Sequence, residues 1–354
     1  MGDLIKAVRC HRYAALDEHG KRPPSPDRVA DVLILDNVDR PVCGDREILV
    51  RTNYVGIQYP DTLQALGLYQ KKPALPYIPG MDLTGTIVDV GAEIHGLKLR
   101  TRIVAQVPIG ALAEIVKVSI NSSWVLPTGS NLSHYANLGR NYFPAYHSLR
   151  VIGEVTQGDL VLIDGASGGV GMAAIELAKA MGALVIGGVS TPEKKELLTN
   201  LGADRVLCYG NDRESYRRFK DEVKQAAIEL GHPTGVDVVV DVVQGELFEA
   251  ALVSSVRPLG KICLVGFTGG QKPIRPGVLL IKQAAVFGSI WADWAAINPE
   301  RHRENVNEII NLLSTGMIKP RVNRIFPLQE FAKAFELFES NQGHGNTVIC
   351  VRED

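Results

Sequence analysis

The run Gly165-Ala166-Ser167-Gly168-Gly169-Val170-Gly171 carries the most specific chemical signal in this sequence. Small residues at this density let backbone N–H groups approach a ligand closely, and a helix starting just beyond them presents a partial positive charge. Both properties suit a pyrophosphate. A tight turn can need glycine for sterics alone, so the flanking residues decide. An apolar run rich in strand formers, Leu160 to Ile163, precedes the glycines. Met172, Ile175, Leu177, Ala178 and Met181 follow at helical spacing as far as Gly182, and a second apolar run, Leu184 to Val189, closes the unit. A glycine run between a strand and a helix marks a dinucleotide-binding βαβ unit. Ala166, Ser167, Gly168, Gly169, Val170 and Gly171 are therefore read as its cofactor-binding residues.

The rest of the nucleotide has its own requirements. In dinucleotide folds an acid at the end of the second strand commonly takes the adenosine ribose diol. Here that strand ends Gly187-Gly188-Val189-Ser190-Thr191, without an acid. Lys194 follows, and Tyr209 closes the third strand. A neutral strand end with a lysine nearby suits a 2′-phosphate, so the reading is NADP(H) rather than NAD(H), with Ser190, Lys194 and Tyr209 around that phosphate. The bland alternatives are a solvated helix face for Lys194, which Glu193 and Lys195 flank, and an aromatic covering the sheet for Tyr209. Later, Gly266-Phe267-Thr268-Gly269-Gly270 ends another apolar run, and Gly266 and Phe267 would let the chain pass close to a nicotinamide.

These residues need a scaffold. From Ile5 to about Pro127 short alternating runs and turns predict an all-β module with one helical stretch near Asp61–Leu66. From Ser133 the period changes. A helix is predicted over Tyr135–Val151, then strands and helices alternate, with strands at 205–209, 236–242, 261–265 and 286–290. Alternation of this kind predicts an α/β fold, a doubly wound parallel sheet with helices on both faces. The expected domains are 1–130, a nucleotide-binding domain over 131–290, and a return to the first domain over 291–354.

Composition sets the outer bounds. A chain of 354 residues exceeds one ordinary core, which makes two domains the natural expectation. The formal net charge of −1 argues against a large nucleic-acid surface. No apolar run reaches the length that spans a bilayer. The five cysteines, Cys10, Cys43, Cys208, Cys263 and Cys350, are scattered singly. That pattern indicates neither a zinc ribbon nor a disulfide framework, and it suits a reducing, cytoplasmic setting.

Taken together the motifs resemble those of the medium-chain dehydrogenase/reductase superfamily, in its zinc-independent quinone oxidoreductase-like branch. The likeness runs from Lys6-Ala7-Val8-Arg9 to the last strand, through DTLQALGLY at 61–69, Pro79-Gly80-Met81-Asp82, GALAEIV at 110–116, the glycine turn and NPERHRENV at 298–306. It implies a GroES-like β-barrel domain built from the N-terminal part and the C-terminal tail, a Rossmann domain inserted between, and an active site in the cleft they form. It further implies hydride delivery from NADPH to a quinone or to the C=C of an α,β-unsaturated carbonyl. Tyr69 would be the polar group that donates to the acceptor. Gln58 stands where relatives often carry asparagine, and Asn346, after Gly343-His344-Gly345, falls where relatives approach the adenosine phosphate.

The same comparison bears on metal. Zinc-binding relatives place a cysteine in the segment matching Gly56-Ile57-Gln58 and Gly-His-Glu where this chain has Gly80-Met81-Asp82. Gln58 and Met81 replace two of the ligands that a catalytic zinc needs, so no metal is expected. Two further departures stand out: Arg100-Thr101-Arg102-Ile103 replaces the usual Gly-Asp-Arg-Val, and Phe143-Pro144-Ala145-Tyr146 replaces Leu-Thr-Ala-Tyr. An enoyl-thioester reductase is the alternative enzyme, and a non-catalytic NADPH-binding regulatory or structural protein is the alternative from another class. A small-molecule acceptor and a homodimer are the expected partners, with no nucleic acid and no membrane.

Overall fold

The computed structural model describes residues 3–17, 19–21, 23, 26–340 and 346–353. The chain divides into two compact units, Met1–Gly139 with Pro320–Asp354, and Arg140–Lys319. The boundaries therefore fall later than 130 and 290. Helix Pro299–Ser314 belongs to the second unit, where Val306, Ile309 and Ile310 are its buried face and the His302 ring meets the edge of Phe143 at 5.1 Å.

The first unit begins with β1 (Leu4–Cys10) and β2 (Leu33–Asp39), an antiparallel pair. It continues with β3 (Glu47–Ile57), β4 (Asp82–Val90), β5 (Arg102–Gln106), β6 (Ile115–Ser119) and β7 (Ser123–Val125). Inward residues of these strands, among them Ile48, Val50, Val55, Leu83, Ile87 and Ile103, form one apolar core. Between β3 and β4 lies helix Tyr59–Leu66. Local chemistry accounts for both of its ends. Pro60 sits in the first turn, the Asp61 carboxylate accepts the Gln58 amide at 2.8 Å, and Gly67 stops the helix at φ 76°.

The second unit holds β8 (Leu160–Ile163), β9 (Leu184–Val189), β10 (Arg205–Cys208), β11 (Val236–Asp241), β12 (Val256–Leu264) and β13 (Ala285–Gly288). They form one parallel sheet in the order β10-β9-β8-β11-β12-β13. Strands β8 and β11 are buried at every position, as expected of a parallel sheet covered on both faces. Strand order reverses between β8 and β11, which is where such sheets bind ligands, beyond the carboxyl ends of the strands.

The helix predicted over Tyr135–Val151 is instead segmented. Wider π turns, Leu138–Tyr142 and His147–Ile152, flank a short α-helical stretch, Phe143–Tyr146. Pro144 explains the break: it has no N–H to donate, and its ring crowds the preceding turn. Trp291 and Trp294 pack within this unit, with Trp291 5.3 Å from both Phe143 and His302 and Trp294 5.0 Å from His147. His147 is itself 4% exposed, and burial pushes its imidazole down to about 4.

The chain then returns as β14 (Val322–Pro327) and β15 (Asn346–Cys350). Strand β15 runs antiparallel to β3 and extends the first unit's sheet to β14-β15-β3-β4-β5-β7, with β6 also on β3. Among the described residues no helix is long and apolar enough to cross a membrane.

Candidate functional site

The glycine run forms the turn between β8 and helix Gly169–Ala180. Gly165 takes φ 53°, the Ala166 amide donates to the Gly188 carbonyl at 3.1 Å, and the Gly168 amide donates to the Gly165 carbonyl at 2.9 Å. Gly168 is the residue before the helix, no side chain caps it, and the first turn carries no acid. The amides of Gly169, Val170 and Gly171 thus open a helix N-terminus with no earlier turn to accept them.

Glycine is required here by contact. A Cβ at Gly171 would lie 2.6 Å from both the Ala166 Cα and the Gly165 carbonyl oxygen, and one at Gly169 would lie 2.4 Å from the Asn141 Oδ1. The bare backbone lets the helix end sit directly on the turn. A diphosphate fits this arrangement, because the helix end is positive, its first turn carries no acid, and the Asn141 side chain beside Gly169 is neutral. Asn141 was not singled out from the sequence. It precedes the glycine run by many residues and is brought to Gly169 only by the helix packing on the sheet.

The structure gathers Ser190 and Tyr209 at the same turn. The Tyr209 amide donates to the carbonyl of Val189, next to Ser190, at 2.9 Å, and burial pushes its phenol well above the ordinary range. The Tyr209 ring is 7% exposed and meets Phe219 edge-on at 5.8 Å. The Tyr209 ring therefore lies over Gly188 of β9 and against Phe219. Lys194 ends the short 3-10 turn Pro192–Lys194 just past Ser190, half-buried. The end of β9 carries no acid before Glu193, so a 2′-phosphate also fits.

Two other turns meet the glycine run. The Gly266 amide donates to the Asp241 carbonyl at 3.3 Å, and the Gly269 amide donates to the Val243 carbonyl at 2.8 Å. A Cβ at Gly266 would stand 2.8 Å from the Val242 carbonyl oxygen, while Phe267 is 45% exposed at the tip. Beneath all three turns lie Asp164 and Asp241, both at 0% exposure; the sequence placed Asp241 at a strand end facing the cofactor and did not single out Asp164. The Asp164 Oδ1 accepts the amides of Val242 at 2.6 Å and Val243 at 3.3 Å. The Asp241 Oδ1 accepts those of Val243 at 3.1 Å and Gln244 at 2.7 Å. The sequence signal for them was an acid at the end of each of two apolar strands.

The remaining residues of interest lie in the first unit. Gln58 is half-buried, and its side-chain amide donates to the Asn137 Oδ1 at 3.3 Å, while Asn137 donates to the Thr347 carbonyl at 3.1 Å. Its side chain thus belongs to a network joining β3, the chain before the π turns, and β15. Tyr69 follows the helix-ending Gly67, half-buried, with its amide on the Leu63 carbonyl at 3.1 Å. Asn346 opens β15 at 5% exposure, its amide on the Asn323 Oδ1 at 3.1 Å. Gly343, His344 and Gly345 lie outside the described residues. Among the described residues no three His, Cys, Asp or Glu side chains cluster as metal ligands.

A parallel α/β unit with a glycine turn at its strand-order reversal, inserted into a mainly antiparallel β unit, is the architecture of a nucleotide-binding protein. The zinc-binding dehydrogenase family model matches residues 169–313, and the alcohol dehydrogenase GroES-like domain model matches 44–136. The quinone oxidoreductase-like protein 2 homolog of Nematostella vectensis is 28% identical over 349 residues, covering 98% of this chain and 90% of that protein. Mouse quinone oxidoreductase is 28% identical over 312 residues, covering 88% and 91%. The crystal structure of Escherichia coli quinone oxidoreductase complexed with NADPH superposes with a TM-score of 0.81 at 25% identity, covering 98% of this chain and 99% of that one. The chain belongs to the medium-chain dehydrogenase/reductase superfamily, in its quinone oxidoreductase-like branch.

Proposed function

We propose that this protein binds NADPH and reduces a quinone, or the C=C of an α,β-unsaturated carbonyl, without a metal ion. The observation that carries the reading is the acid-free, glycine-lined helix N-terminus at Gly168–Gly171 beside a second strand that ends without an acid. When bound, NADPH supplies the hydride, and the chemistry of transfer is the cofactor's own. The amides of Gly169, Val170 and Gly171 hold the diphosphate, and Lys194 and Ser190 hold the 2′-phosphate. The Gly266–Gly270 turn shapes the nicotinamide end. Tyr69 donates a hydrogen bond to the acceptor oxygen as negative charge builds there. Metal independence is supported by the ligand positions themselves, since neither the Gln58 amide nor the Met81 thioether replaces the cysteine and histidine of zinc-binding relatives. The same reading includes a homodimer paired along the free edge of β13, where Phe287 is 42% and Ile290 67% exposed. It also includes a reducing cytoplasm, in which the five cysteines stay free.

The test is loss of reduced-nicotinamide absorbance with a panel of quinones, enones, enals and enoyl thioesters. Turnover on a quinone or enone supports the reading. NADPH binding with no turnover on any acceptor supports a non-catalytic nucleotide-binding role instead. One observation favours the enoyl-thioester alternative. Arg51 pairs with Thr86 across β3 and β4, and Thr86 with Arg102 across β4 and β5, so the three side chains share a face. With Arg100 they line a groove of about 500 Å³ that holds no carboxylate, suited to the phosphates of a thioester's carrier. Faster turnover on an enoyl thioester than on every other member of the panel decides for that alternative.

Two substitutions separate the assigned roles. Lys194→Ala removes a charge-assisted contact of about 1.5–3 kcal/mol. It is expected to weaken NADPH binding about 10–100-fold and to leave NADH binding unchanged, as measured by calorimetric titration of both nucleotides. Tyr69→Phe is expected to lower kcat about a hundredfold, the scale of one lost donor to a developing oxyanion, with the Kd for NADPH unchanged. An unaltered rate on good acceptors removes Tyr69 from the mechanism.

A further inference from the structure

We propose that Asp164 and Asp241 share one proton between facing carboxyl groups, and that this acid–carboxylate pair positions the turns after β8 and β11 that carry the dinucleotide. The inference rests on the reading of the glycine turn as an NADPH site and deepens it.

Topology brings the two residues together. Ile163 of β8 is in register with Val240 of β11, so the next residues, Asp164 and Asp241, stand side by side at the strand ends. Each spends its Oδ1 on backbone amides of the turn Val242–Gln244. That turn includes Gln244, a non-glycine residue held at φ 56°. The two Oδ2 atoms are shut off from water with no donor on either among the described residues, and both Oδ1 atoms reach the same Val243 amide, Asp164 at 3.3 Å and Asp241 at 3.1 Å, which sets the two carboxyl groups against each other. The Tyr209 phenol, from the end of β10, is the other titratable group facing Asp164. Val242, Val243 and Gln244 present amides and no charge.

Two carboxylates in such a place cannot both be ionised, because burial and mutual repulsion act in the same direction. Burial is the first cause that pushes both carboxyl groups above their usual range, and at Asp164 the charge of Asp241 adds to it. The proton therefore belongs to the pair, while each carboxyl group keeps its own two backbone amides. Asp164 directly precedes Gly165, and the side chains of Val242 and Val243 lie against Gly165. With its proton the pair clamps the two turns together at a cost of one negative charge. Without it, two like charges push the turns apart directly beneath the phosphate donors.

Asparagine at 164 reproduces the neutral acid, with an N–H in place of the O–H and no proton to lose. The experiment compares wild type, Asp164→Asn and Asp164→Leu in the full-length protein, by thermal unfolding of the nucleotide-free form and by NADPH Kd, both across pH. The sign follows from linkage. A folded-state pKa raised above the unfolded value of about 3.9 makes wild-type stability fullest below that value and lost progressively as pH rises toward the folded pKa. Asp164→Asn is expected to remove this loss, so that its Tm exceeds wild type at neutral pH and the gap closes in acid. Its NADPH Kd is expected to match wild type within about twofold at neutral pH. In the alkaline range wild type is expected to weaken at least tenfold more than the variant; the comparison cancels every other pH effect that the two proteins share. Asp164→Leu, which cannot hydrogen-bond to Asp241, is expected to lose both Tm and affinity, and rescue by asparagine but not leucine distinguishes positioning from bulk. Equal pH dependence of Tm in wild type and Asp164→Asn overturns the shared proton. Equal alkaline loss of affinity in the two overturns the positioning role. A wild-type protein that binds no NADPH at any pH overturns the functional reading instead, and the Tm comparison still decides on the shared proton.

Discussion

Valine in place of Gly171 is expected to raise the Kd for NADPH about a hundredfold or more, a loss of about 2.7 kcal/mol. The Cβ alone would stand 2.6 Å from the Ala166 Cα and the Gly165 carbonyl oxygen, and 2.9 Å from the Ala166 carbonyl carbon. These are backbone atoms of the turn itself, and no side chain is there to swing aside. Ordinary contact between carbon atoms needs about 3.5–4.0 Å, so the helix end must lift from the turn by about 1 Å. Overpacking of this kind costs about 1–3 kcal/mol of stability. The larger effect falls on binding, because the amides of Gly169, Val170 and Gly171 no longer converge on one place. Calorimetric titration checks it, with Gly277→Ala as a control. Gly277 also lies in a helix, but a Cβ there meets nothing within 4 Å. Unchanged affinity in Gly171→Val sinks the assignment of this turn as the phosphate cradle.

Phe219→Ala is expected to destabilise the protein by about 3–5 kcal/mol, a large share of the about 5–15 kcal/mol typical of a folded domain. Phe219 lies at 0% exposure on the buried face of helix Arg213–Glu229, with Val223 and Ala226. Strand β9 has no side chains at Gly187 and Gly188, and larger residues from elsewhere occupy that space. A Cβ at Gly187 would meet Leu198 at 2.8 Å, and one at Gly188 would meet Phe219 at 3.2 Å. The Phe219 ring therefore fills the place above bare backbone and also seats the Tyr209 ring. Truncation leaves a cavity that glycine backbone cannot fill, and it removes the ring that Tyr209 packs against. NADPH affinity is expected to fall with stability. Denaturant unfolding followed by circular dichroism measures the first, with Phe219→Leu between wild type and alanine, and titration measures the second. A loss below about 1 kcal/mol, the scale of a surface substitution, would mean that the space closes by itself.

The amino-acid sequence determined those features that depend on neighbours along the chain. Strand runs such as Val236–Asp241 show in their own apolar character, and the glycine turn shows in its setting between a strand and a helix. The start of helix Tyr59–Leu66 follows from Pro60 and Asp61, and the missing acid after Val189 can be read directly. Each reflects backbone preference or burial period acting over a few residues. Only the tertiary structure decided which distant residues meet. Strands β8 and β11 become neighbours through the crossover topology of the sheet, so the pairing of Asp164 with Asp241 has no local signature. Asn141 reaches Gly169, and Gln58 is engaged by Asn137, for the same reason. Pro144 was visible, yet its consequence, π turns on both sides, depended on the surrounding core holding the widened helix in place. The second unit runs on to Lys319 because the buried face of Pro299–Ser314 finds its partners there. Long-range packing chose what covers that face.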